Sequence, residues 1–104
     1  MKSGIYIITN IVNGKSYIGS SLDYLQRLRQ HKYSLRKGTH YNNHLQSSFN
    51  KYTERNFTFN LLELTDKLIE REIFHIYSRQ VLKPKYGYNK ATNIENTSGY
   101  KMSE

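Results

Sequence analysis

The fold is decided near the start of the chain, where residues 4–20 read GIYIITNIVNGKSYIGS. Two runs rich in β-branched and aromatic side chains flank the pair Asn13-Gly14. An Asn-Gly pair between two such runs is a strong local signal for a β-hairpin. The segment therefore predicts two antiparallel strands.

The register of this hairpin decides whether its two central tyrosines share a face. A two-residue turn places Val12 opposite Lys15, whereas a wider loop places Tyr6 directly opposite Tyr17. Both alternatives put the two phenols on one face, because side chains alternate along a strand. A slip by a single residue would separate them. Gly19 on the same face would leave open space between the side chains.

The rest of the chain predicts three helices and one more strand. We expect helices at Leu22–Arg36, Asn42–Lys51 and from Thr65 or Asp66 to about Leu82, where Pro84 prevents continuation, and a strand at Phe57–Leu64. The order β-β-α-α-β-α is typical of an α+β fold, a small three-stranded antiparallel sheet flanked by three helices. The 104 residues predict one domain over 1–91, followed by a polar tail or the start of a linker over 92–104.

Composition narrows the class of partner. Lys and Arg number 16 against 8 Asp and Glu, so the formal charge is +8 and a polyanion is favoured. The sequence has no cysteine, which excludes disulfides, thiol nucleophiles and Cys-bound zinc. It also has no apolar run of the roughly 20 residues that a membrane span needs, and no visible signal peptide. We expect a cytoplasmic domain that does not bind membranes.

Two positions on the predicted helices stand out chemically. Arg27 and His31 lie one turn apart at the edge of the first helix's apolar stripe. A guanidinium there suits a phosphate or a carboxylate, or simply a surface ion pair. In the third helix, Glu72 falls among Leu68, Ile69, Ile73 and Ile76. A carboxylate in a buried stripe is a metal ligand, a general acid or base, or a structural partner of Arg27.

These residues resemble a known family. The triplets Gly4-Ile5-Tyr6 and Tyr17-Ile18-Gly19 are similar to the signature of the GIY-YIG nucleases. The likeness continues through Arg27 and His31, Lys37–His40, Leu45–Lys51, Glu70–Glu72 and Gly87–Asn89. Within the family it is strongest to the catalytic domains of phage intron-encoded homing endonucleases of the T4 type.

The resemblance implies roles for seven positions. Tyr6 would be the general base or would position the attacking water, and Tyr17 would share the site. Arg27 would stabilise the charged phosphate, and His31 would support a tyrosine or the scissile phosphate. The other three are implied as follows: Glu72 binds a single divalent ion, Mg²⁺ or Mn²⁺; Asn89 closes the site by hydrogen bonding; His40 matches a functionally important histidine of unspecified role.

The implied function is that of a GIY-YIG catalytic domain over residues 1–91. It would be a metal-dependent DNA endonuclease that hydrolyses phosphodiester bonds in double-stranded DNA. We expect a monomer in the host-cell cytoplasm, with a separate C-terminal DNA-binding domain in the full-length protein. Two alternatives stay open: a basic nucleic-acid-binding module without catalysis, and a GIY-YIG nuclease of the restriction or repair type.

Overall fold

The structure is a computed structural model that describes residues 1–90 of the 104. Its elements are β1 Gly4–Asn10, β2 Ser16–Ser21, α1 Tyr24–Lys37, α2 Asn43–Tyr52, β3 Phe57–Leu64 and α3 Leu68–Arg79. The predicted order and the α+β class are confirmed. The tail expected at 92–104 lies outside the described residues.

The three strands form one antiparallel sheet in the order β2-β1-β3, so β1 is central. Tyr6 pairs with Gly19, and Ile8 pairs with Tyr17. This register has the predicted parity, and both tyrosines therefore face the same side. It matches neither of the two alignments expected from the sequence.

The expected two-residue turn is wrong, because the hairpin closes around the buried Asn10. Its side-chain oxygen accepts a hydrogen bond from the Val12 amide at 2.9 Å, and its carbonyl accepts one from the Gly14 amide at 2.8 Å. The loop therefore runs from Ile11 to Gly14, with Gly14 at a φ of 78°. Glycine adopts that left-handed conformation without the clash a side chain would cause.

Each face of the sheet carries its own core. On one face α1 and α2 pack over a cluster of Tyr6, Ile8, Tyr17, Leu28, Leu35, Leu45, Phe49, Phe57 and Tyr88. On the other face α3 packs over a smaller cluster of Ile5, Ile7, Ile18, Ile76 and Val81. The alternation of side chains along β1 thus supplies both cores.

The helix boundaries follow local capping. Asp23 caps α1 by accepting a hydrogen bond from the Gln26 amide, and Gly38 ends the helix in the left-handed conformation that glycine favours. Helix α3 is shorter than expected at both ends. It stops at Arg79 because Gln80 adopts a φ of 56° and its amide caps the last turn, well before Pro84.

The outer edge of β2 is covered by the segment that follows α3. The Ser16 amide donates to the Tyr86 carbonyl at 3.2 Å, and the Ser16 carbonyl accepts from the Tyr88 amide at 2.8 Å. This short parallel bridge occupies backbone groups that an edge strand would otherwise expose. Over residues 1–90, no helix is long and apolar enough to cross a bilayer.

Candidate active site at the edge of the sheet

The site begins where the Tyr6 ring crosses the backbone of the edge strand. Tyr6 is only 1% exposed, and its hydroxyl lies directly over Gly19. A Cβ atom at Gly19 would lie 2.3 Å from the Tyr6 oxygen, closer than atoms can approach. Gly19 is therefore the position that lets the phenol reach the edge of the sheet.

A chain of hydrogen bonds runs inward from this phenol. The Tyr6 oxygen lies 2.7 Å from Nε2 of His31, and Nδ1 of His31 lies 2.7 Å from Nε2 of His40. Both histidines are buried, and their rings meet edge to edge at 24° from coplanar, with centroids 5.0 Å apart. Burial and the nearby positive charge of Arg27 lower the pKa of His31 to about 3 and that of His40 to about 4. Both imidazoles are consequently neutral at pH 7.

Tyr41 is a site residue that the sequence reasoning missed. Its hydroxyl lies 2.7 Å from that of Tyr17 and accepts a hydrogen bond from Arg27 at 3.4 Å. Its ring also stacks on His40, with centroids 4.5 Å apart. The available signal was its position directly after His40, the last residue of the stretch Lys37–His40 that resembles the family.

Arg27 faces these phenols without a carboxylate partner. Its other side-chain hydrogen bond goes to Gln30, and none of the ion pairs within residues 1–90 includes it. Burial opposes its charge, but the phenolic groups of Tyr6 and Tyr41 outweigh burial and raise the pKa of Arg27. Among the described residues the guanidinium is thus a permanently charged cation without a counter-ion.

Glu72 projects from α3 on the opposite face of the sheet. The carboxylate is 7% exposed and accepts a hydrogen bond from the hydroxyl of Ser20, the residue after Gly19. The expected burial of Glu72 is confirmed, whereas its neighbour Glu70 is exposed; Ile69 is 40% exposed and does not belong to the buried face. Burial raises the pKa of Glu72, and the Ser20 hydrogen bond offsets part of that rise.

The suggested ion pair between Glu72 and Arg27 is not formed. Within residues 1–90 the carboxylate has no cationic partner at all. Its negative charge is nevertheless close enough to add to the effect of burial and of Tyr41 in raising the pKa values of Tyr6 and Tyr17. The charge of Glu72 on one face of the sheet therefore acts on the two phenols on the other face, across β2.

The chemistry of the donors fits a hard divalent cation at Glu72. Residues 1–90 contain no cluster of three or more His, Cys, Asp or Glu side chains, so the protein would supply one carboxylate. Mg²⁺ is commonly held in this way, since it keeps several waters and takes further ligands from substrate phosphates. The pair His40 and His44, spaced like metal ligands, does not form a site. Both ring nitrogens of His40 are already hydrogen-bonded, and His44 packs on Tyr88.

Asn89 is buried beside the edge strand and binds the backbone of Ile18 twice. Its amide nitrogen donates to the Ile18 carbonyl, and its side-chain oxygen accepts from the Ile18 amide, both at 2.8 Å. Both ends of the amide are thereby occupied by protein. Asn89 therefore fixes the backbone of β2 at Ile18, between Tyr17 and Gly19; its expected role in closing the site stays a prediction.

Comparison with known proteins agrees with this geometry. A family profile described as the GIY-YIG catalytic domain matches residues 2–80. The intron-associated endonuclease 1 of Enterobacteria phage T4 is 42% identical over 93 residues, which are 86% of this chain and 37% of that protein. The chain thus spans little more than a third of this relative's length.

Two solved structures of the catalytic domain of the homing endonuclease I-TevI, one of them a point mutant, have the same fold. Each superimposes with a TM-score of 0.76 and covers 86% of this chain. The mutant is 41% identical with 93% of its chain covered, and the other is 38% identical with 100% covered. The resemblance seen in the two triplets is confirmed: this chain belongs to the GIY-YIG family of endonucleases, and residues 2–80 match the catalytic domain of that family.

Proposed function

We propose that this chain is the catalytic domain of a homing endonuclease that hydrolyses phosphodiester bonds in double-stranded DNA with one bound divalent cation. One observation carries the proposal. Among residues 1–90, the buried carboxylate of Glu72 has no cationic partner and the half-buried guanidinium of Arg27 has no carboxylate partner, and they lie on either side of the same phenols. An unpaired charge is costly where it is removed from water. A metal ion and a phosphate group would neutralise both.

Arg27 supplies the anion-binding half of the site. A guanidinium binds phosphate oxygens with two parallel hydrogen bonds and keeps its charge at any physiological pH. Its contacts to Tyr41 and Gln30 hold it in one orientation before substrate arrives. We assign it to the non-bridging oxygens of the scissile phosphate, where negative charge increases in the transition state.

Tyr6 is the candidate for contact with the attacking water. Burial raises its pKa and the charge of Arg27 lowers it, with burial the larger effect, so the resting group is a neutral phenol. It positions the water by hydrogen bonding, and it could accept a proton from that water only as a phenolate, after losing its own proton, which nearby positive charge favours. A divalent ion held by Glu72 would supply such charge and would polarise the phosphate. Tyr17, joined to Tyr41, lines the same side and lies in that field.

DNA is the polyanion that fits the charge of the chain. A formal charge of +8 gives attraction to phosphates that is independent of sequence and weakens as salt rises. We assign target selection to a further, C-terminal DNA-binding domain, because the phage T4 relative is far longer than the matched part. The domain would act as a monomer in the host-cell cytoplasm, and Mn²⁺ would replace Mg²⁺ because both prefer oxygen ligands.

The test is nicking of supercoiled plasmid at low salt, with Mg²⁺ or with EDTA. Cleavage is expected only with the metal, and Glu72→Gln should abolish it while the exposed neighbour Glu70→Gln leaves it intact. Tyr6→Phe and Arg27→Ala should also abolish cleavage with the circular dichroism spectrum unchanged. Near-native cleavage by Glu72→Gln would exclude the metal assignment. DNA binding without cleavage under every metal condition would identify a non-catalytic module.

A readout independent of cleavage checks the metal site. Mn²⁺ is paramagnetic, so titrating it should broaden the amide signals around Ser20 and Glu72 in an NMR spectrum. The Glu72→Gln chain should lose this local broadening, and the Glu70→Gln chain should keep it. Equal broadening in both variants would place the ion elsewhere.

A further inference from the structure

The hydrogen bonds around His40 fix where its proton lies. The backbone amide of Asn42 donates to Nδ1 of His40 at 3.0 Å. A backbone N–H is a donor and never an acceptor, so Nδ1 carries no hydrogen. A neutral imidazole has one N–H, and that of His40 is therefore on Nε2.

The proton position on His40 fixes that on His31. The Nε2–H of His40 points at Nδ1 of His31, 2.7 Å away, so Nδ1 of His31 is an acceptor. The one hydrogen of the neutral His31 ring is therefore on Nε2, which faces the Tyr6 oxygen at 2.7 Å. The backbone amide of Asn42 therefore sets the donor direction of each hydrogen bond in the series from His40 through His31 to Tyr6.

We propose that His40 is a positioning residue that holds His31 in its Nε2–H tautomer, so that His31 donates a hydrogen bond to Tyr6 and directs the phenolic hydrogen toward the substrate. The consequence for cleavage rests on the nuclease function proposed above, whereas the proton positions do not. In this arrangement His31 does not accept the proton of Tyr6. It instead stabilises negative charge on the phenol oxygen, together with Arg27.

The donor at the start of the chain is held rigidly. Asn42 is 1% exposed and caps α2, its side-chain oxygen accepting from the Leu45 amide at 3.0 Å. Its side-chain nitrogen donates to the Tyr88 carbonyl at 2.8 Å. Burial is the main cause of the lowered pKa values of both histidines, and these low pKa values keep both rings neutral at pH 7.

The test of the proton positions is NMR on the unmodified chain. Two-bond ¹H–¹⁵N correlation spectra distinguish Nδ1–H, Nε2–H and doubly protonated rings by their ¹⁵N shifts and cross-peak patterns. We expect the Nε2–H pattern for both His31 and His40 at pH 7. A Nδ1–H pattern or an imidazolium at either residue would overturn the inference, whatever the chain does to DNA.

Two substitutions then test the positioning role. In His40→Gln the side-chain nitrogen stands the same number of bonds from Cβ as Nε2 and donates to His31, so the tautomer and most of the cleavage rate should survive. In His40→Leu the donor is lost, and His31 should shift toward Nδ1–H. Its kcat should then fall roughly 100-fold, the scale of a misdirected proton-transfer group, with KM for plasmid nearly unchanged.

His75→Gln is the matched control, because His75 of α3 is hydrogen-bonded to Glu63 of β3 and takes no part in the hydrogen bonds that link His40, His31 and Tyr6. It should change neither the His31 pattern nor the cleavage rate. A His40→Leu chain that cleaves at the native rate, or a His40→Gln chain that keeps the His31 tautomer but is as slow as His40→Leu, would overturn the positioning role. If the tautomers are as expected and the unsubstituted chain does not cleave DNA, the nuclease proposal fails and the proton assignment stands.

Discussion

Replacing Gly19 with alanine should disable the site while the chain stays folded. The added Cβ would lie 2.3 Å from the Tyr6 oxygen and 2.5 Å from Cζ, whereas ordinary contact begins at 3.4 Å. The phenol must therefore move by about 1 Å. Tyr6 is 1% exposed and lies in the buried cluster under α1 and α2, and a shift of that size would break the 2.7 Å bond to His31.

The expected magnitudes follow from this displacement. Overfilling a packed region typically lowers the free energy of unfolding by 1–3 kcal/mol, and we expect about 2 kcal/mol for Gly19→Ala. A 1 Å misplacement of a reacting group lowers rates by roughly 100-fold. The plasmid assay gives the second quantity, and urea unfolding gives the first.

Gly14→Ala is the control for stability. Gly14 also has a positive φ, and a Cβ there would meet nothing within 4 Å. Alanine at that φ costs about 1 kcal/mol through backbone strain alone, far from the phenols. We expect Gly14→Ala to cleave normally. A folded Gly19→Ala chain that cleaves within threefold of the unsubstituted rate would refute the reasoning.

Three further predictions concern pH, the edge strand and Arg27. Burial lowers the pKa of His31 to about 3 and of His40 to about 4 in the folded chain. In the unfolded chain both histidines titrate near pH 6.5, so as the pH falls below that value the unfolded state binds more protons and the free energy of unfolding decreases. The urea midpoint should therefore fall between pH 7 and pH 5, and equal midpoints would contradict the assignment. Asn89→Ala loses two backbone hydrogen bonds and about 2 kcal/mol, which should lower Tm by roughly 10 °C; a Tm within 2 °C of the original would be inconsistent with the clamp. Tyr41→Phe removes one of the two side-chain bonds of Arg27 and should raise KM for DNA by about fivefold, whereas an unchanged KM would show that the contact is dispensable.

The sequence predicted the layout of the sheet better than its details. Alternation along the hairpin was enough to put Tyr6 and Tyr17 on one face, because any register of the right parity does so. The true register depends on Asn10, whose buried side chain reshapes the loop. A turn pattern read from Asn13-Gly14 alone does not contain that contact.

The same contrast holds within the site. Helical spacing marked Glu72 as buried, since its position among apolar neighbours is a local property of α3. The contact of His31 with His40 depends on how the segment between α1 and α2 folds back, which spacing does not predict. Ser20 and Tyr41 were missed because their roles arise from neighbours distant in sequence.

The division of the site between two cores has a consequence for altering the protein. The phenol and histidine half is embedded in the packing under α1 and α2, and the carboxylate half in the packing under α3. Repacking around Ile76, for example, would change the surroundings of Glu72 and leave the hydrogen bonds of His31 and His40 undisturbed. The proposed metal-binding and water-positioning roles are therefore separable by substitution, and each can be tested from its own side of the sheet.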